Sequence, residues 1–98
     1  MGIFAVICKP NSRYYLETTE NLRGAMNSTE FKLNAGMHPK KALQKDWSEF
    51  GSEEFEIRIL EQIEPDDMDE SRAGYEDDLA LLKIVWIERL TGENIELY

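Results

Sequence analysis

Lys40, Lys41 and Lys45 form the tightest cluster of bases in the chain. Lys41 and Lys45 stand four apart, which puts them on one face of a helix with Lys40 alongside. That pattern serves phosphate contact, a protein interface, or a solvated face opposite Leu43 and Trp47, and the last is the plainest reading. The acids cluster elsewhere, in Glu64-Pro65-Asp66-Asp67-Met68-Asp69-Glu70 and again in Glu76-Asp77-Asp78. A calcium loop would need alternating Asp spacing, a mid-loop glycine and a closing glutamate, and this stretch has none of the three. It suits a solvated loop, or an acidic face that mimics DNA or binds protein, with Asp66, Asp67, Asp77 and Asp78 as the candidate contacts. His38 is the single histidine, without a cysteine or second histidine nearby, so a turn or capping role is expected rather than a metal site. Cys8 is the single cysteine; it closes an apolar run and reads as an inert core thiol in a reducing compartment.

The elements that hold these groups follow from periodicity. Gly2 to Cys8 is a continuous apolar run, GIFAVIC, short and partly β-branched, as a well-buried strand requires. Pro10-Asn11-Ser12 is turn chemistry, and Arg13 to Glu17 completes a β-hairpin whose exposed edge would allow a dimer. Thr19 or Asn21 caps a first helix with the stripe Leu22, Met26, Thr29 and Leu33, stopped at Asn34-Ala35-Gly36. Pro39 suits the first turn of a second helix, Lys40 to Phe50, with Leu43, Trp47 and Phe50 on one side and Gly51 ending it. Phe55 to Leu60 alternates as a third strand. A final helix, about Ser71 to Leu90, carries Tyr75, Leu79, Leu82, Trp86 and Leu90 and ends at Thr91-Gly92. Trp47 and Trp86 sit at core spacing rather than as base-stacking platforms. The order β-β-α-α-β-α implies an α+β fold, a small three-stranded mixed or antiparallel sheet flanked by three helices.

The chain of 98 residues, 42% hydrophobic and 10% aromatic, is sized and composed for one globular domain over residues 1–98. No apolar run approaches a membrane span, and Met1-Gly2-Ile3 lacks the basic flank of a signal peptide, so a cytoplasmic domain is expected. The net charge of −9 is unevenly spread. Residues 1–45 carry seven bases against three acids, whereas residues 46–98 carry four bases against seventeen acids. The acidic half opposes non-specific affinity for nucleic acid, while a local basic face is still able to touch phosphate.

Several strings, taken in order, resemble the GIY-YIG nuclease family, above all its phage and intron-encoded homing endonuclease branch. Gly2-Ile3-Phe4 stands for Gly-Ile-Tyr, and Tyr15-Leu16-Glu17 for Tyr-Ile-Gly at the expected gap. Thr18 to Leu22 resembles the following Ser-x-x-Asn-Leu segment. Gly36-Met37-His38, Leu43-Gln44, Trp47 and Phe50-Gly51 resemble the Gly-x-His, Leu-Gln, Trp and Tyr-Gly run of that branch. Phe55-Glu56 with Ile59-Leu60, and Trp86-Ile87 with Leu90, resemble its third strand and last helix. The likeness spans about residues 2 to 91.

The resemblance implies DNA cleavage with one divalent metal held by a glutamate on the last helix. It also implies an arginine on the first helix that stabilises phosphate charge, and tyrosines from both motifs that organise the attacking water. Carried over residue by residue, those positions fall on poor substitutes. The first tyrosine falls on Phe4, which keeps the ring and loses the hydroxyl. The second is kept as Tyr15. The close-approach glycine falls on Glu17, the arginine on Ala25, and the histidine four residues later on Thr29. The metal glutamate falls on Lys83, a cation. Arg23 lies about 200° round the helix from Ala25, Glu76 sits two turns from Lys83 and Glu88 lies off its face, so none is a natural replacement.

The expectation is therefore a catalytically degenerate GIY-YIG-like domain, a pseudoenzyme without metal or other cofactor. It would act by binding, with a protein partner favoured over nucleic acid. Lys83 is expected to snorkel, or to replace the lost metal charge by pairing with Glu17. The alternative is a DNA endonuclease of the same family that uses Mg²⁺ or Mn²⁺.

Overall fold

The computed structural model describes residues 1–63 and 75–98. Asp66, Asp67 and the expected start of the last helix at Ser71 lie outside the described residues. The described elements are β1 (Gly2–Cys8), β2 (Arg13–Thr19), α1 (Leu22–Ala35), α2 (Lys41–Phe50), a 3-10 turn (Ser52–Glu54), β3 (Phe55–Gln62) and α3 (Tyr75–Gly92). The sheet order is β2-β1-β3 and both pairings are antiparallel. No helix among the described residues is long and apolar enough to cross a membrane.

β1 is buried from end to end because it is central and covered on both faces. Alternate residues point opposite ways. Phe4, Val6 and Cys8 meet Leu22, Leu33, Leu43 and Trp47 under α1 and α2. Ile3, Ala5 and Ile7 meet Leu79, Leu82 and Leu90 of α3. Full burial of each large side chain contributes about 1.5–3 kcal/mol, so this one strand anchors both layers. Gly2 begins it for a steric reason. A Cβ there would collide with the Glu61 carbonyl oxygen of β3. Just beyond, Ile3 pairs with Glu61 and Phe4 with Ile59, so Leu60 is the extra residue of a β-bulge.

Asn21 caps α1, its Oδ1 accepting from the Gly24 amide at 3.1 Å. Gly36, at φ +76°, closes the helix in the left-handed region, and the Met37 amide reaches back to the Lys32 carbonyl at 2.8 Å. The second helix departs from expectation at both ends. It begins at Lys41, with Lys40 as the half-in residue and Pro39 outside the first turn. Phe50 lies exposed instead of packed, while Trp47 and Phe55 meet with ring centroids 4.9 Å apart. β3 runs two residues beyond Leu60, to Gln62, and α3 continues through Gly92.

A strap unread in the sequence closes the β2 edge. Leu97 bridges Tyr14 in parallel, the Tyr14 amide donates to the Glu96 carbonyl at 3.0 Å, and the Tyr98 amide donates to the Tyr14 carbonyl at 2.9 Å. The hairpin edge expected to be open for dimerisation is thus partly paired within the chain.

Candidate functional site

Tyr15 sits on β2 opposite Val6, and Glu17 sits opposite Phe4. Both side chains point to the α1–α2 face. The Tyr15 hydroxyl donates to Oε1 of Glu17 at 3.1 Å. Burial first, then the Glu17 charge and this hydrogen bond, push the Tyr15 phenol up to about 12. The His38 ring meets Tyr15 edge-on, centroids 5.1 Å apart. Nδ1 of His38 accepts from the Lys40 amide at 3.0 Å, and the His38 amide donates to Gln44 Oε1 at 3.0 Å. His38 thereby turns the chain into α2, and burial holds its pKa below the usual imidazole value.

Phe4 is fully buried, Ala25 packs half-buried against the same cluster, and Thr29 is buried one turn further along α1. Phe4, Tyr15 and Ala25 therefore come together around one core, with Thr29 behind them. Lys83 arrives from α3, on the other side of the sheet, and reaches the same place around the β2 edge. A recess of about 140 Å³ there is lined by Tyr15, Lys40 and Lys83, with Leu16, Ile87 and the strap residues Leu97 and Tyr98. Two lysines and two tyrosines thus line one small concavity.

This arrangement corrects the expected pairing of Lys83 with Glu17. The ion pairs among the described residues are Arg13–Glu96 and Arg58–Glu56. Glu17 does not line the recess, and its Oε1 accepts the Tyr15 hydroxyl instead. Lys40, expected only as part of a surface cluster, lines the recess, whereas Lys41 and Lys45 stay exposed on α2. Asp77 and Asp78 are exposed on the N-terminal part of α3. Arg23 lines a different groove, with Met26, Ile59 and Gln62, at the β3 edge. It cannot serve at Tyr15.

Sequence reasoning missed Tyr98 and Asp46. The Tyr98 hydroxyl donates to Asp46 Oδ2 at 2.6 Å, and Asn11 Nδ2 donates to the same oxygen at 2.9 Å. Burial, and then this bond, raise the Tyr98 phenol far above its ordinary range. Isolated aromatic and acidic residues 52 positions apart carry no local pattern that would link them.

No family model matches the chain, and no curated protein matches it. Solved structures do. The chain is similar to the catalytic domain of the homing endonuclease I-TevI, at 22% identity and a TM-score of 0.74, covering 97% of this chain and 92% of that one. A Glu-to-Ala mutant of the catalytic domain of intron endonuclease I-TevI aligns at 21% identity and a TM-score of 0.73, over 97% and 88% of the two chains. The fold is that of a GIY-YIG catalytic domain. In this GIY-YIG-like domain the two motif strands are β1 and β2, paired so that Phe4 and Tyr15 lie on the same face two residue pairs apart.

Among the described residues around Tyr15, the groups that could meet the divalent metal which that fold family implies are one carboxylate and two lysines. Among the described residues no three His, Cys, Asp or Glu side chains stand together as a metal-holding set. The carboxylate beside Tyr15 is that of Glu17, and it already accepts the phenol. The position expected to supply a ligand supplies the Lys83 ammonium.

Proposed function

We propose that this GIY-YIG-like domain has lost phosphodiester cleavage and acts by binding, with protein as the favoured partner class. One observation carries the reading: Lys83, the residue that the family resemblance sets at the metal-ligand position, lines the recess beside Tyr15. Losing a single transition-state donor costs about 10²- to 10³-fold, and losing a Lewis acid costs more. Phe4 and Ala25, which the resemblance sets at the tyrosine and arginine positions, pack in one core and carry neither a hydroxyl nor a cation. The net charge of −9 further disfavours duplex DNA as the main partner.

Incubation with supercoiled and branched DNA in Mg²⁺ or Mn²⁺ tests the reading. The expected result is no product above a metal-free blank. Chelator-sensitive cleavage that disappears in Tyr15→Phe would establish an active endonuclease instead.

A further inference from the structure

The edge of the sheet opposite the recess carries a second surface. α3 is apolar on more than the face it needs. Leu79, Leu82 and Leu90 pack on the sheet, yet Leu81, Ile84 and Val85 remain 61%, 52% and 42% exposed. A helix lying on one sheet normally turns charged residues outward. Leu81 and Val85, four apart, together with Ile63 beyond β3, line a groove of about 400 Å³. Acids surround the three exposed aliphatics. Glu61 and Asp78 line the groove, and helical spacing puts Asp77 before the stripe and Glu88 after it on the same flank. The single base lining it among the described residues, Arg89, is stacked on the Trp86 ring at 4.5 Å.

We propose that this groove docks a basic amphipathic helix of a partner protein, aliphatic side chains on Leu81 and Val85 and Lys or Arg on the acidic rim. Charge complementarity selects the occupant. A second copy presenting the same flank would oppose acid with acid. A partner strand is disfavoured because the Leu60 bulge breaks the regular hydrogen-bonding edge of β3 beside the groove. An apolar stripe at four-residue spacing beside a groove is the helix-in-groove mode of recognition. The site extends the binding role without depending on lost catalysis, since it lies across the sheet from Tyr15.

The test uses the whole chain and a synthetic helical peptide with a leucine stripe flanked by lysines, beside a control in which every lysine is glutamate. The lysine peptide should bind, with amide shifts confined to residues 61–63 and 77–89, and the glutamate peptide should not. Leu81→Ser with Val85→Ser, both exposed and so compatible with folding, should weaken binding by about tenfold or more. Asp77→Lys with Asp78→Lys should do the same, while Lys40→Ala at the opposite edge should change nothing. Equal binding of both peptides, or binding indifferent to the Leu81 and Val85 changes, would overturn the proposal. So would a dimer in sedimentation that Leu81→Ser with Val85→Ser dissociates, because a second copy would then be the occupant. DNA cleavage, measured separately, bears on the recess and leaves this groove untouched.

Discussion

The Tyr15 hydroxyl and the Glu17 carboxylate, two residues apart on one face of β2, form a hydrogen bond of 3.1 Å. The glycine expected at Glu17 would leave that hydroxyl free for a substrate or water. Here it is engaged, and its proton is held tightly. Burial is the larger cause of the raised Tyr15 pKa and Glu17 the next, so Glu17→Gln should lower it from about 12 without restoring an ordinary phenol. A folded-state pKa above the unfolded value contributes stability that is present below pH 10 and lost as pH rises through about 12. Tyrosine-labelled NMR titration reads the shift directly. An unchanged Tyr15 midpoint in Glu17→Gln would show that the carboxylate does not govern the phenol.

His38 should make stability fall on the acid side. Its pKa is lowered by burial, so the unfolded chain takes up the proton first as pH drops below about 6.5. Its stabilising contribution is thus present above that pH and is lost as pH falls through the lower folded value. Protonation also abolishes the Nδ1 acceptor that holds the Lys40 amide, loosening entry into α2. Urea midpoints measured from pH 7.5 down to 5 should decline more steeply in the native chain than in His38→Gln. Parallel declines would remove His38 from the account.

Gly2→Ala should destabilise more than its size suggests. The added Cβ meets the Glu61 carbonyl of the neighbouring strand, and backbone cannot rotate away as a side chain would. Overpacking of this kind costs about 1–3 kcal/mol, which for a domain of this length lowers Tm by roughly 4–8 °C per kcal/mol. Calorimetry on the single variant is sufficient. A Tm within about 1 °C of the native value would mean that the β1–β3 approach relaxes freely.

Strand and helix order was legible because β1 is a seven-residue apolar run and α1 carries its stripe at helical spacing. Those signals are local. The recess was only half legible, since motif spacing identifies Tyr15 and Lys83 but says nothing about the path around the β2 edge. Lys40 and Tyr98 reach the recess through a turn at His38 and a strap at Leu97, both fixed by tertiary contacts. Lys83 and Glu17 looked complementary in sequence, yet Glu17 bonds the Tyr15 hydroxyl and does not line the recess that Lys83 enters. Phe50 has the right helical phase, yet it lies exposed at the end of α2 while Trp47 packs on Phe55.

The three lysines should prove separable from the fold and weak as a nucleic-acid site. Lys40, Lys41 and Lys45 are exposed, and the Lys40 amide bond to His38 survives any side-chain change. Converting all three to Gln should move stability by no more than about 0.5 kcal/mol per site. Binding to duplex DNA at about 150 mM salt should be weaker than micromolar before and after the change, because an excess of acids repels the phosphate backbone. A genuine phosphate-contacting face would behave otherwise. The native chain would bind with sub-micromolar affinity, and each lost contact would flatten the slope of log affinity against log salt by about 0.9. Anisotropy titrations at three salt concentrations distinguish the outcomes. A slope that falls stepwise through the single, double and triple variants would move the partner from protein to DNA.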